Sequence, residues 1–123
     1  MADILVVEDE DNIAIALDFL LTRDGHQHDR MATGQGAVAR IRDKRPDLVL
    51  LDVMLPDVSG YQILQDLRAD PDMAAVRVLL MTARGSVVEH RKGMALGADG
   101  FIAKPFELAE LRAEIARLLA GPC

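Results

Sequence analysis

Four short apolar runs punctuate the chain: Ile4 to Val7, Leu48 to Leu51, Val76 to Met81 broken only by Arg77, and Phe101 to Ala103. None alternates cleanly between apolar and polar residues, so each predicts a strand buried on both faces, as in a parallel sheet covered by helices. Helical spacing fills the intervals. Ile13, Leu17, Leu20 and Leu21 recur at steps of four and three, as do Leu108, Leu111, Ile115, Leu118 and Leu119. Ala37, Val38 and Ile41 predict a shorter helix ended at Arg45-Pro46, and Ile63, Leu64 and Leu67 another ended before Asp70-Pro71. The segment Val87 to Leu96 is sparse in apolar residues, carries Gly93 inside and meets Gly97 as a stop, which predicts a marginal helix that shifts easily. One further strand is needed after the first helix. His26 to Ala32 is the candidate, and its polarity assigns it to a sheet edge. Strand and helix thus alternate five times, the pattern of an α/β open sheet with right-handed crossovers.

Length and charge narrow the classes. At 123 residues the chain is expected to form one domain over 1–120 with a short tail at 121–123, and half its residues are apolar against 28% charged. A formal charge of −6 disfavours direct contact with nucleic acid or anionic lipid. Cys123 is the sole cysteine, so no internal disulfide and no CxxC motif is possible. The absence of a charged-then-apolar leader adds to the expectation of a cytoplasmic location.

Ligands bind outside the carboxyl ends of the strands in an open parallel sheet. Glu8-Asp9 follow the first apolar run, Asp52 the second, Thr82 the third and Lys104 the fourth, so three carboxylates, a hydroxyl and an ammonium are expected in one crevice. Each residue has a bland alternative. Acids before a helix are favoured by its dipole, a threonine commonly finishes a strand, and a lysine before Pro105 is commonly solvated. Four successive acids, Glu8 to Asp11, exceed what one helix start needs, and a cation would relieve their repulsion. Asp52 is followed by Val53-Met54-Leu55-Pro56 and Asp57-Val58-Ser59-Gly60, a loop pattern that presents its carboxylate. Hard oxygen donors with room for water suit Mg²⁺. Asp52 is then the nucleophile toward phosphorus, Glu8 and Asp9 hold the metal, Lys104 neutralises phosphoryl oxygens and Thr82 hydrogen-bonds one of them.

With these residues assembled, the sequence resembles the receiver domain of two-component response regulators, a chemotaxis-regulator-like family, over essentially its whole length. The likeness rests on Val6-Val7-Glu8-Asp9, on Asp52-Val53-Met54-Leu55-Pro56 through Gly60, on Thr82-Ala83 and on Lys104-Pro105-Phe106. Separations of 43, 30 and 22 residues between Asp9, Asp52, Thr82 and Lys104 agree with it. The resemblance implies a flavodoxin-like (βα)5 three-layer sandwich with strand order 2-1-3-4-5. It implies a phosphoprotein that accepts a phosphoryl group on Asp52 from a sensor histidine kinase or phosphotransfer protein. Mg²⁺ would be held by Glu8, Asp9, Asp52 and the backbone carbonyl of Met54. It further implies a cis peptide at Lys104-Pro105, and a switch in which Thr82 and Phe101 reshape the face of helix four, strand five and helix five toward a partner, an output domain or a second copy. Such a domain is not an enzyme beyond its own aspartate phosphorylation and slow dephosphorylation. Phe101 stands where tyrosine is common, and Met54 and Arg84 occupy positions that tune water access. The alternative is a degenerate receiver serving as a phosphorylation-independent scaffold, which the full set of residues disfavours. A haloacid-dehalogenase-like phosphohydrolase lacks its second acid, since Met54 stands there, and no G-x-G-x-x-G or Walker motif follows the first strand. His26, His28 and His90 are expected as solvated surface residues, and the excess of arginine over lysine as a surface preference.

Overall fold

The computed structural model describes residues 2–83 and 86–120. Arg84, Cys123 and the tail at 121–123 lie outside the described residues. The strands are β1 (Asp3–Val7), β2 (Gln27–Met31), β3 (Leu48–Asp52), β4 (Arg77–Thr82) and β5 (Gly100–Ala103). The helices are α1 (Asp11–Arg23), α2 (Ala37–Lys44), α3 (Gly60–Arg68), α4 (Val87–Ala95) and α5 (Leu108–Ala120). The five strands form one parallel sheet in the order β2-β1-β3-β4-β5. This is the expected order, and a 3-10 turn at Pro71–Met73, which hydrophobic spacing did not indicate, joins α3 to β4.

Unbroken apolar strands serve two cores because successive side chains point to opposite faces. Leu5, Val7, Val49, Leu51, Val78 and Leu80 face Ile41 of α2 and Ile63, Leu64 and Leu67 of α3. Ile4, Val6, Leu48, Leu50, Leu79 and Met81 face Leu17, Leu20 and Leu21 of α1 and Leu111, Ile115 and Leu118 of α5. Each such side chain contributes about 1.5–3 kcal/mol of burial. β3 is central and buried at all five positions, so its carboxyl end is held firmly.

The edge strand β2 pairs with β1 through its QHDRM sequence, and its polar residues have specific partners. His28 Nε2 lies 3.0 Å from Thr22 Oγ1 and 3.3 Å from Asp18 Oδ1, while His26 Nδ1 accepts the Ala2 amide at 3.2 Å. Those two histidines are half-buried, and His90, though exposed, stacks on Phe101 with ring centroids 4.9 Å apart and an interplanar angle of 6°. The expectation of solvated surface histidines is corrected for His26 and His28, whose rings are half-buried against polar partners, while His90 is exposed as expected. Arginine likewise does more than coat the surface. Arg68 on α3 donates to the carbonyls of Gly97 and Val76, both at 2.8 Å, and pairs with Asp99 at 2.8 Å.

α4 forms over the expected span and is sparsely anchored, with Gly93 its single buried residue. Ser86 caps it by accepting the Glu89 amide at 3.2 Å. Gly97, at φ +105°, turns the chain away after it. A methyl group at Gly93 would stand 2.7 Å from Leu80 Cδ1, so its absence lets α4 lie against β4.

Candidate functional site

Parallel register gathers the predicted residues at one end of the sheet. Asp52 closes β3 and Thr82 closes β4, and both are buried. Ala103 pairs with Thr82, and the next amide, that of Lys104, donates to the Thr82 carbonyl at 2.7 Å. The Lys104-Pro105 peptide is cis. Lys104 Nζ then reaches back across the sheet end to Glu8 Oε1 at 2.6 Å, Asp52 Oδ2 at 3.3 Å and Glu10 Oε1 at 3.4 Å. An ammonium at the focus of three carboxylates is the electrostatic core of the site.

The β3 to α3 connection holds Asp52 in place. The Val53 amide donates to the Met81 carbonyl at 2.9 Å, and the Gly60 amide returns to the Val53 carbonyl at 3.0 Å. The Met54 amide donates to Asp52 Oδ1 at 3.1 Å, leaving Oδ2 to face Lys104. Gly60 must lack a side chain, because a Cβ there would sit 2.3 Å from the Asp52 carbonyl oxygen. Asp57 accepts the amides of Gly34 and Gln35, both at 2.8 Å, tying this loop to the β2 to α2 turn. The Gly34 amide, more than any other group, keeps the Asp57 carboxyl below its usual range.

Glu8 is wholly buried. Burial pushes its carboxyl up to about 7, with the Asp52 charge adding, against the opposing pull of Lys104 and of the Glu10 amide. Burial acts on Lys104 in the opposite sense, drawing its ammonium down. The hydrogen bond and charge of Glu8 and the charge of Asp52 more than offset this, so the Lys104 pKa is raised. The ammonium therefore stays charged, and Glu8 carries the strain of the shared burial.

Of the expected acids, the structure gathers Glu8 and Asp52 but joins them with Glu10 rather than Asp9. One oxygen from each of Glu8, Glu10 and Asp52 lies within 4.8 Å of the others, whereas Asp9, half-buried after β1, stands outside that group. Lys104 explains the choice, since all three gathered carboxylates ion-pair with its Nζ. Glu10 is the N-cap residue of α1 yet makes no side-chain cap, so capping does not account for it. The acidic run signalled the region and pointed to Glu8 with Asp9, whereas the second acid that turns toward Lys104 is Glu10. Arg30, a polar residue of β2 that no motif marks, also touches this loop through the Glu8 carbonyl at 3.0 Å.

These donors fit a hard divalent cation. Among the described residues the buried Glu8 Oε1 is met by the Lys104 ammonium alone, and the neighbouring donors are carboxylate oxygens of the kind Mg²⁺ prefers. Away from this cluster, Phe101 on β5 lies half-buried between the His90 ring and Gly93 of α4.

Known proteins resemble this chain in sequence and in fold. A family model described as the response regulator receiver domain matches residues 4–116. The chain is 38% identical over 116 residues to the phosphate regulon transcriptional regulatory protein PhoB of Rhizobium meliloti, covering 94% of this chain and 51% of that protein. It is 39% identical over 119 residues to the sensory transduction protein RegX3 of Mycolicibacterium smegmatis, covering 97% and 51%. The chain thus spans about half the length of the curated relatives it matches. Among solved structures, a response regulator from Chloroflexus aurantiacus superposes with a TM-score of 0.90 at 33% identity, over 97% of this chain and 98% of that one. The receiver domain of a sensor histidine kinase from Pseudomonas aeruginosa, with a magnesium ion coordinated in its active-site cleft, superposes at 0.88 with 28% identity, over 98% of each chain.

Proposed function

Because this chain belongs to the response regulator receiver family, we propose that it is a phosphoacceptor whose Asp52 takes a phosphoryl group from a histidine kinase or phosphotransfer protein. Receiver domains are signalling domains of two-component systems, and what remains to be assigned is the role of each side chain. The observation that carries the reading is Lys104 Nζ, held within 3.3 Å of Asp52 and 2.6 Å of Glu8 at the open end of a buried sheet. In transfer, the bond from phosphorus to the donor nitrogen breaks as one to an Asp52 carboxylate oxygen forms. Oδ1 is steadied by the Met54 amide, so the reacting carboxylate is positioned before the donor arrives. Lys104, already charged, meets the new phosphoryl oxygens, and the buried Thr82 hydroxyl hydrogen-bonds one of them.

Glu8, Asp9, Asp52 and the Met54 carbonyl are the proposed holders of Mg²⁺, with Glu10 brought alongside by the fold. When bound, the ion neutralises charge on the acceptor and the transferred group. Recruitment of Thr82 toward the phosphoryl group draws in the end of β4, and Phe101 exchanges its place against His90 and Gly93 for the space vacated. The face of α4, β5 and α5 then changes toward a partner, an output domain or a second copy. The names of PhoB and of other matched transcriptional regulators support an output in gene expression, with the receiver domain itself making no direct contact with nucleic acid, as its charge of −6 suggests. Operation in the cytoplasm belongs to the same proposal. Among the described residues, no helix is long and apolar enough to cross a membrane.

Intact-mass measurement after incubation with acetyl phosphate and Mg²⁺ tests the assignment. The native chain is expected to gain one phosphoryl group and Asp52→Asn none. Equal labelling of both would place the acceptor elsewhere.

A further inference from the structure

β2 is the polar exception in an apolar sheet, and Arg30 gives its polarity a use. Its register beside Val6 places it level with the end of β1. From there Arg30 Nε donates to the Glu8 carbonyl at 3.0 Å, and Nη1 pairs with Asp11 Oδ1 at 3.0 Å. Between those two anchors lie Asp9 and Glu10. The Glu8 amide also donates to the Met31 carbonyl at 3.0 Å, and the Glu10 amide to Glu8 Oε2 at 3.1 Å. The edge strand therefore grips the acidic turn at both ends.

Four successive acids repel one another, and the first two precede the N-cap of α1, so the helix does not order them. A planar guanidinium, with donors in a fixed fork, can satisfy a carbonyl and a carboxylate together, whereas a lysine ammonium is a point charge on a flexible stem. We infer that Arg30 is a positioning residue for the magnesium pocket, setting the path of Asp9-Glu10 by its two-point hold on Glu8 and Asp11. This rests on the magnesium reading of the site given above. Simple electrostatics predicts the opposite sign, because removing a cation from beside a cluster of carboxylates strengthens their attraction for another cation. The direction of the effect separates positioning from charge.

The experiment is amide NMR of the metal-free native protein, Arg30→Ala and Arg30→Lys, each titrated with MgCl₂ and followed at the Met54 amide. Arg30 is on an edge strand with its side chain 33% exposed, and the metal-free spectrum of each variant reports its fold directly. Arg30→Ala is expected to bind Mg²⁺ about tenfold more weakly, the lower end of the effect usual for groups that orient metal ligands, and its Glu10 amide to exchange faster without metal. Arg30→Lys, which keeps the charge but not the fork, is expected to remain weaker than native. Binding by Arg30→Ala as tight as native or tighter overturns the inference, and so does native affinity in Arg30→Lys. A native protein that fails to respond to Mg²⁺ would refute the magnesium reading itself, and this inference with it.

Discussion

Glu8 keeps its proton up to about pH 7 in the folded chain, chiefly because burial disfavours the carboxylate, whereas its ordinary pKa is 4.5. Between those values the folded state binds a proton that the unfolded state has released. Stability must therefore fall as pH rises from about 4.5 to about 7, the favourable contribution being complete only below the lower value. In metal-free buffer the urea midpoint of the native protein is expected to decline across that window relative to Glu8→Gln, which has no proton to lose there. A constant difference between the two would count against a raised Glu8. This residue was legible as a site acid from its place after an apolar run. Its titration was not, because burial depends on what Lys104, Asp52 and the strand ends enclose.

α4 is held to the body by side chains more than by a core stripe. Tyr61 on α3 donates its hydroxyl to Glu89, Lys92 Nζ stands 4.4 Å from the Tyr61 ring centre, and His90 stacks on Phe101. Its outer residues Val87 and Val88 are 66% and 75% exposed. A helix so anchored opens more easily than α1 or α5, whose leucines fill the core. Hydrogen exchange is expected to be faster at α4 amides than at either of those helices, and about fivefold faster again in Tyr61→Phe, the equivalent of about 1 kcal/mol for one hydrogen bond. Unchanged exchange in that variant would show that the hydroxyl does not restrain the helix. The marginal character of α4 could be read from its sparse apolar residues and Gly93. Its contacts with Tyr61 and Phe101 could not, since they join segments about 28 and 11 residues apart whose facing is set by the sheet.

Two apolar layers share one sheet, and alternate residues of the same strand belong to different layers. Loss of either layer uncovers one whole face of every central strand, so the layers cannot melt separately. Unfolding in urea is expected to be one cooperative transition, with far-UV circular dichroism and amide NMR intensities giving coincident curves. Separate midpoints for residues facing α1 and α5 and those facing α2 and α3 would contradict this coupling. The shared sheet also explains why the site is firm while the edge and α4 are less so. Asp52 ends the strand buried at all five positions, and Lys104 leaves the edge strand β5 to reach it.

Apolar runs were enough to indicate four of the five strands, because a parallel strand covered on both faces must be apolar at successive positions, whereas the polar β2 had to be inferred from the alternation of the elements. Once strands and helices alternate, the carboxyl ends of the strands fall along one edge, so the sequence alone places Asp52, Thr82 and Lys104 together. Three-dimensional packing alone selected Glu10 over Asp9 to stand with Glu8 and Asp52, and enlisted Arg30 from a polar edge strand. Loop side chains follow no repeating spacing, and their direction is set by charges and carbonyls supplied from distant parts of the chain. That is why the address of the chemistry lay open in the order of residues, while the partners of its acids waited on the fold.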